Sequence, residues 1–247
     1  MQNRSLERLV PESLAADDTT GAATLKLHLE RYEFAARHVS PGRVLDIACG
    51  VGYGTRLLAD RCRDLTETVG VDVSPEAVDY AVRHYGRDGV RFLLHDAMQF
   101  ADPERFDTVV SLETFEHLPR PEAFLDNLLR RVIRPGGVLV CSAPTTPSVD
   151  ANPHHLHDFS NRSFRRLFER RGLKQLASFE QIQPFVPLRL LAREEARLDD
   201  LRRNLPLYYL THPGGLFRRI FATLRHGFQN RYLTVAWQRE KGDRRAY

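Results

Sequence analysis

The sequence lacks the features that assign a chain to a membrane-spanning or a disulfide-rich class. No run of about 18 apolar residues occurs, so no transmembrane helix is predicted. Residues 1–7 include acidic and polar side chains where a secretory signal is apolar. The three cysteines, Cys49, Cys62 and Cys141, are too few and too scattered for a disulfide framework or a zinc knuckle. We therefore expect a cytoplasmic protein in a reducing compartment.

Lysine is also scarce, because only Lys26, Lys174 and Lys241 accompany the arginines among the 36 basic residues. Residues 160–247 hold 19 basic and 8 acidic residues, a net charge of +11, whereas residues 1–159 hold 17 and 24, a net charge of −7. A basic segment favours an anionic partner. Arginines interleaved with leucine and phenylalanine are also typical of solvated faces of amphipathic helices. The sequence leaves both interpretations open.

Short apolar, β-rich runs alternate with helical segments up to Pro144, which is typical of a parallel α/β sheet. The 247 residues and 42% hydrophobic content suit one large domain with a packed core. Ser74 and Pro75 predict a helix start, and Pro135-Gly136-Gly137 predicts a turn before the fifth strand. We predict strands over 43–49, 68–74, 90–97, 106–112 and 138–144, and helices over 53–64, 75–85 and 121–132.

The pattern is less regular after Pro144. Residues 144–159 predict a loop, 160–171 a helix that Gly172 closes, and 173–182 and 232–239 a sixth and a seventh strand. Helices are predicted around 187–203 and 214–225, and an insertion of this length is typical of a lid or binding element. We therefore divide the chain into a helical N-terminal cap (1–40), a core (41–182), a helical insertion serving as substrate lid or oligomer contact (183–230), and the last strand with its tail (231–247).

A strand, a glycine turn and a helix follow one another at residues 44–54, V-L-D-I-A-C-G-V-G-Y-G. Glycines let a backbone approach a ligand closely, and a helix N-terminus offers free N–H groups. The dinucleotide fingerprint G-x-G-x-x-G would need glycine at Thr55, and no Lys-Ser/Thr pair follows for a phosphate-binding loop. Asp46, four residues before Gly50, would repel a pyrophosphate and suits a ligand that carries an ammonium group.

Two further carboxylates end the next two predicted strands. Asp72, 22 residues after Gly50, lies where a carboxylate accepts both hydroxyls of a ribose. Asp96 suits an adenine amino group. Each of them alone is equally explained as the cap of a strand end. Three acidic strand ends beside one glycine turn together indicate a nucleotide-like ligand.

These residues carry a resemblance to a known family. The 44–54 segment, V-G-V-D-V-S at the end of the second strand, H-D-A-M-Q-F after the third and I-R-P-G-G-V-L-V-C-S-A-P together resemble class I S-adenosylmethionine (SAM)-dependent methyltransferases, over roughly residues 28–182. The resemblance implies an α/β fold with a Rossmann-like, seven-stranded, mostly parallel sheet. Helices would cover both faces, the last strand would be antiparallel, and the core 41–182 would bind SAM.

The resemblance also implies which residues bind the methyl donor. Gly50 and Gly52 would face the methionine part, and Asp46 would serve its ammonium group. The remaining donor contacts would be Asp72 at the ribose, Val73 and Met98 on either side of the adenine, Asp96 with Ala97 at the adenine amino edge, Arg31 or Tyr32 at the methionine carboxylate, and Ala48 and Leu112 along the pocket.

Methyl transfer displaces an activated sulfonium, so the enzyme mainly holds the acceptor in line at about 3–3.5 Å and excludes water. A base is needed only when the acceptor is a weakly acidic hydroxyl or a protonated amine. Histidines follow the fourth and fifth strands, where residues that contact the methyl acceptor are expected. His155, His157 and His117 are the predicted general bases, with Asp158 orienting one of them. Alternatively, these histidines cap the loop or pack against the donor.

The run Glu113-x-x-Glu116-His117 has two interpretations. It lines the donor pocket in small-molecule methyltransferases, and it is similar to the E-x-x-E-H run of ubiquinone-pathway O-methyltransferases, some of which use a divalent ion. In the second case, Glu113, Glu116 and His117 would bind Mg²⁺ or Mn²⁺. We do not favour a metal, because so short a motif is weak evidence.

We therefore predict a SAM-dependent methyltransferase that acts on a small molecule, such as a natural product, at a hydroxyl oxygen. Two alternatives stay open: methylation of nucleic acid or protein, and SAM binding without methyl transfer. Nucleic acid is disfavoured, because Ser111-Leu112-Glu113-Thr114 does not match the Asn/Asp-Pro-Pro-aromatic run of amino-directed DNA methyltransferases. A homodimer is compatible with the sequence.

Overall fold

The computed structural model describes residues 9–14, 19–185, 202 and 204–241, which contain one seven-stranded sheet. The strands are β1 (Gly42–Ile47), β2 (Leu65–Asp72), β3 (Val90–Leu94), β4 (Phe106–Ser111), β5 (Ile133–Pro144), β6 (Lys174–Pro184) and β7 (Gln229–Gln238). Their order is β3-β2-β1-β4-β5-β7-β6. Strand β7 is antiparallel to both of its neighbours, and the other six strands run in one direction. This confirms the predicted fold class.

Helices flank the sheet and begin where the local sequence supplies a cap. They are α1 (Thr19–Ala36), α2 (Tyr53–Arg61), α3 (Pro75–Tyr85), α4 (Pro121–Asn127), α5 (Asn161–Glu169), α6 (Leu205–Thr211) and α7 (Pro213–His226), with 3₁₀ turns at Pro11–Ser13 and Phe115–His117. The Ser74 side chain caps α3 by accepting from the Ala77 N–H, with Pro75 at the first helical position, as predicted. Ser160 and Ser163 form a reciprocal capping box at the start of α5.

The structure corrects the predicted boundary between the fourth helix and the fifth strand. Helix α4 passes into a π-helical turn, Leu128–Val132, and β5 begins at Ile133 rather than after the Pro-Gly-Gly turn. The ladder with β4 shifts register between the pairs Phe106–Ile133 and Thr108–Val138. Gly136, at φ 83°, lies in this bulge. The Pro-Gly-Gly run therefore makes a bulge within the strand, because its flanks keep pairing with β4.

The core lies on both faces of the sheet. On one face, the aromatic rings of α5 pack against the last strand, and Phe168 stacks on Trp237 with ring centres 5.1 Å apart. On the other face, Phe34 of α1 packs with Val44, Val110 and Val140. The carboxyl ends of the parallel strands are left at one edge, where the turns meet.

The second half of the chain follows the predicted order. Helix α7 confirms the helix predicted over 214–225, α6 was not predicted, and the helix predicted around 187–203 falls largely outside the described residues. The segment between the last two strands begins after Pro184 and ends before Gln229. Within the described residues, no helix combines the length and the apolar character needed to cross a membrane.

Candidate active site

The turn between β1 and α2 holds three residues at positive φ: Ala48 at 63°, Gly50 at 58° and Gly52 at 89°. A Cβ atom on Gly52 would lie 2.6 Å from the Cβ of Ala81, so glycine lets the turn pack against α3. A Cβ atom on Gly50 would meet no atom within 4 Å. The turn thus combines one closely packed glycine with one whose backbone borders open space.

Asp72, the last residue of β2, links this turn to the next one. Its Oδ2 accepts a 2.8 Å hydrogen bond from the Gly50 N–H, and its Oδ1 accepts a 2.9 Å bond from the Ser74 N–H. A carboxylate has about four acceptor positions, so hydroxyl groups can still bind to it. The adjacent Val73 is 68% exposed, which leaves an apolar surface that a flat ring can cover.

Asp96 follows β3, the neighbour of β2 in the sheet. Its Oδ1 accepts from the Met98 N–H at 2.8 Å and its Oδ2 from the Gln99 side-chain amide at 3.2 Å. Ala97 and Met98 are half-buried against the core. Asp96 therefore caps the end of its strand, as one of the two interpretations of the sequence predicted. The contact between Asp96 and an adenine stays a prediction.

Asp46 is the most buried of the three carboxylates, at 1% exposure. It accepts hydrogen bonds from the Tyr32 hydroxyl at 3.1 Å and from the Thr55 hydroxyl at 2.7 Å. The Tyr32 ring fits against Gly54, where any Cβ atom would collide with it. Burial raises the pKa of Asp46 to about 7, although both hydrogen bonds oppose that shift. The sequence analysis considered Thr55 only as the position where the dinucleotide fingerprint needs a glycine. It did not identify Thr55 as a hydrogen-bond donor to Asp46.

Arg31 of α1 is 1% exposed. Its Nε donates to Gln181 Oε1 at 2.8 Å, and its guanidinium carbon lies 4.3 Å from the centre of the Tyr232 ring. Its Nη1 lies 3.8 Å from Glu113 Oε2. Arg31 therefore joins α1 to β6, to β7 and to the loop after β4. Gln181 and Tyr232 were not predicted, because neither strand alone shows that α1 packs against it.

Glu113 follows β4 with a φ of 48°, an uncommon conformation for a residue other than glycine. Ser142 of β5 holds it, since the Glu113 N–H donates to Ser142 Oγ at 2.9 Å and that hydroxyl donates to Glu113 Oε1 at 2.6 Å. The preceding Leu112 is half-buried against the core. The Glu113 carboxylate thus lies with Ser142 and Arg31.

His117 and His155 lie together beyond the carboxyl ends of β4 and β5, edge to face, with ring centres 4.7 Å apart. Nδ1 of His117 is 3.1 Å from the His154 carbonyl, and Nδ1 of His155 is 2.7 Å from the Ser148 hydroxyl. Because a carbonyl only accepts, we assign the proton of His117 to Nδ1, which makes its Nε2 an acceptor. The two rings that the sequence predicted separately are therefore neighbours.

Glu116 is the third member of this cluster and is 1% exposed. Its Oε1 lies 3.9 Å from His117 Nε2. Ligand atoms of Glu116, His117 and His155 all lie within 4.8 Å of one another, so the three fit a divalent ion. Two imidazoles and a carboxylate suit Zn²⁺ better than Mg²⁺. In the part of the chain that the structure describes, the third candidate metal ligand beside Glu116 and His117 is thus His155, whereas the sequence indicated Glu113.

His157 and Asp158 contact backbone groups of the surrounding loops. Nε2 of His157 is 2.9 Å from the Leu118 carbonyl, so this ring ties two loops together. Asp158 Oδ1 accepts from the N–H groups of Ser148 and Val149, at 2.8 and 3.1 Å. Asp158 thus holds the backbone of Ser148, whose hydroxyl contacts His155.

Sequence reasoning missed Asp150 of the same loop. Asp150 is 3% exposed and accepts from the Tyr209 hydroxyl at 2.6 Å and from Arg219 Nε at 2.7 Å. Burial acts to raise its pKa, but the Arg219 guanidinium holds the pKa below its usual value. The contact fastens α6 and α7 to the loop that carries His155. No local signal could reveal it, because the partners lie 59 and 69 residues away.

Comparison with known proteins identifies similar methyltransferases. Residues 45–141 match the family described as a methyltransferase domain. The chain is 33% identical over 117 residues to a fatty-acid O-methyltransferase from Mycolicibacterium smegmatis, and 35% identical over 104 residues to a ubiquinone biosynthesis O-methyltransferase from Cereibacter sphaeroides. These matches cover 44% and 40% of this chain. They span 42% and 40% of the relatives' own lengths.

The fold is similar to that of an N-methyltransferase from Bradyrhizobium japonicum solved with S-adenosyl-L-homocysteine. The TM-score is 0.56 at 18% identity, with 93% of each chain covered. That likeness supports the fold, and the family match over residues 45–141 includes the glycine turn and the acidic strand ends. Residues 45–141 thus match a methyltransferase domain, and the chain is similar in sequence and in fold to S-adenosylmethionine-dependent methyltransferases.

Proposed function

We propose that the protein transfers the methyl group of SAM to a hydroxyl oxygen of a small-molecule acceptor. The observation that carries the proposal is the pair His117 and His155 beyond β4 and β5. Strand order reverses between β1 and β4, and ligands of open α/β sheets bind at the carboxyl edge of such a point. A proton acceptor thus shares this edge with the glycine turn and Asp72.

In this proposal, SAM supplies an activated methyl group and the protein orients it. The open space at Gly50 and the exposed side chain of Val73 support a donor lying across the ends of β1 and β2. Asp72 would bind the ribose hydroxyls, with its remaining acceptor positions. The other donor contacts stay predictions from the resemblance: Arg31, Tyr32, Asp46, Ala48, Gly52, Asp96, Ala97, Met98 and Leu112.

His155 is the proposed general base. Its Nδ1 contact with Ser148 and its packing against His117 set the orientation of the ring. A hydroxyl must lose its proton as the new C–O bond forms, and a positioned imidazole accelerates such a step by about 10²–10⁴. A metal is not needed for this chemistry, although the cluster with Glu116 fits one.

Oxygen is supported as the methylated atom because two of the curated relatives, the fatty-acid and the ubiquinone biosynthesis enzymes, are O-methyltransferases. A nucleic-acid acceptor has less support, since several arginines of the basic segment are engaged within the fold. Arg219 pairs with Asp150, Arg171 pairs with Asp126, and Arg239 donates to backbone carbonyls. These arginines attach helices and strands to the core, so they are not available to an anionic partner.

The proposal is tested with a trideuteromethyl SAM donor, the purified protein and fractionated cell extract, followed by mass spectrometry. We expect the label as an O-linked methyl group in a small molecule. His155→Ala should lower kcat by about 10²–10⁴ and leave SAM affinity unchanged. The control variant His154→Ala changes an exposed neighbour and should leave kcat unchanged. Asp72→Ala should weaken SAM binding at least about tenfold in calorimetry, because charge-assisted hydrogen bonds are lost.

Label found only in nucleic acid or protein would replace the small-molecule acceptor, and SAM binding without any labelled product would replace methyl transfer. EDTA is expected to leave the rate unchanged. A loss of rate that Zn²⁺ restores would instead assign Glu116, His117 and His155 as metal ligands.

A further inference from the structure

Helix α7 presents an apolar face to solvent. Phe217, Ile220, Phe221 and Leu224 are 71%, 46%, 65% and 82% exposed. Their spacing of three and four residues places them on one side of the helix. We call these four residues the α7 stripe. Leu207 and Leu210 of α6 and Phe228 after α7 are also exposed.

The opposite side of α7 is the one attached to the protein. Gly215 is buried there, and Arg219 pairs with Asp150, which also accepts from Tyr209. A surface helix ordinarily packs its apolar side against the core and turns its charges outward. Helix α7 does the reverse: its partly buried Arg219 pairs with the buried Asp150, while the α7 stripe faces solvent.

The segment of sequence around the stripe is basic, and Arg218 within it lies 3.5 Å from Asp158 of the loop after β5. Residues 201–239 contain seven arginines and not one aspartate or glutamate. Arg218 and Arg225 are exposed, and each directly follows a residue of the stripe. An apolar helix face bordered by arginines is the pattern of a helix that lies in the interface of an anionic membrane.

We propose that the α7 stripe docks the protein on the surface of an anionic lipid bilayer, with the aromatic and aliphatic side chains among the acyl chains and Arg218 and Arg225 at the head groups. A second copy of this chain fits less well, because a two-fold contact would bring arginines together with no carboxylate in 201–239 to pair them. Nucleic acid leaves the four apolar side chains unaccounted for, since its interfaces are polar.

Docking would also affect catalysis. The Asp150–Arg219 pair connects α7 to the loop that carries His155, so the docked helix would hold this loop near the bilayer. An acceptor dissolved in the membrane could then reach the site without crossing water. This last step rests on the proposed function, whereas the docking itself does not.

The test is co-sedimentation of the full chain, without SAM or acceptor, with two kinds of vesicle: phosphatidylcholine alone, and phosphatidylcholine mixed with the anionic lipid phosphatidylglycerol. We expect binding to the anionic vesicles that weakens in high salt. Phe217→Ser with Phe221→Ser should lower the partition coefficient at least tenfold, because two aromatic rings no longer enter the bilayer. Arg218→Gln and Arg225→Gln should each lower it about fivefold, on anionic vesicles only.

Two controls match these changes elsewhere on the surface. Val82→Ser removes a half-exposed apolar residue from α3, and Arg170→Gln removes an exposed arginine after α5; neither should alter binding. No binding of the wild type, or equal loss in the control variants, would overturn the proposal. So would a dimer, seen by light scattering, that Phe217→Ser with Phe221→Ser dissociates while vesicle binding is absent. Because no methyl transfer is measured, failure of the proposed function would not affect this result.

Discussion

At the scale of single residues, Asp46 shows how burial changes what a carboxylate does. Its position before the glycine turn is recognisable in the sequence, but its pKa of about 7 arises from burial in the folded protein, which outweighs the hydrogen bonds from Tyr32 and Thr55. Near neutral pH, small changes in the surroundings of Asp46 therefore decide whether its carboxyl group is protonated. A bound ammonium group would favour the ionised form.

Asp46→Asn tests this shift. The folded pKa of about 7 lies above the ordinary value of 3.8, so between these values the folded protein holds a proton that the unfolded chain has lost. The free energy of unfolding should consequently fall as pH rises from 5 to 7, by about 1 kcal/mol per pH unit from this group, and then level off. Asparagine keeps an acceptor oxygen but does not titrate, so Asp46→Asn should abolish this pH-dependent part of the free energy of unfolding.

The measurement is urea unfolding from pH 5 to pH 8 without SAM, for the wild type, Asp46→Asn and the exposed control Asp79→Asn. The difference between wild type and Asp46→Asn should change with pH, whereas the difference for Asp79→Asn should stay nearly constant. Parallel curves for wild type and Asp46→Asn would show that the carboxyl group titrates at an ordinary pKa.

At the scale of elements, a partly buried ion pair between Asp150 and Arg219 attaches α6 and α7 to the loop after β5. Asp150 in the loop after β5 meets Arg219 and Tyr209, and the carbonyls of Asp150 and Val149 accept from the Arg202 side chain. Little apolar surface of α7 is buried, because the α7 stripe is exposed. The pair therefore decides whether the two helices stay attached to the histidine loop.

Arg219→Gln should release both helices, since loss of one partner of a buried pair costs about 3 kcal/mol. We expect faster amide hydrogen exchange in Leu205–Thr211, Pro213–His226 and 144–159, without faster exchange in the central strands. The adjacent Arg218→Gln is the matched control, because Arg218 is exposed, 3.5 Å from Asp158, and such pairs contribute less than about 1 kcal/mol. Equal protection in both variants would show that other contacts hold the helices.

At the scale of the whole molecule, the sheet is complete only when the last strand is in place. Strand β7 is the last element that the structure describes, yet it lies between β5 and β6 and pairs with both. Trp237 in β7 is fully buried and stacks on Phe168 of α5. The stability of the fold therefore depends on residues near the end of the described chain.

Trp237→Ala should lower the free energy of unfolding by about 3–5 kcal/mol, because it leaves a cavity between β7 and α5. Leu176→Ala on β6 serves as a control, since Leu176 is half-exposed and its loss should change stability by less than about 0.5 kcal/mol. Urea unfolding monitored by far-UV circular dichroism gives both values. A similar, small effect of the two substitutions would contradict the central place of β7.

The amino-acid sequence by itself determined the parallel strands, the glycine turn, the acidic strand ends and the family resemblance. These features depend on periodicity and on residues close together in the chain, so they can be recognised without a fold. The boundary at β5 could not be predicted, because the pairing of flanking residues with β4 turned the Pro-Gly-Gly run into a bulge.

Only the tertiary structure decided which side chains meet. His117 joined His155 rather than Glu113, Arg31 met Gln181 and Tyr232, and a partly buried ion pair turned the apolar side of α7 outward. Each of these outcomes depends on residues between 38 and 201 positions apart, whose proximity arises when helices and strands pack together. Contacts over such separations leave no periodic or local signal, and they are the ones on which the proposed chemistry and docking depend.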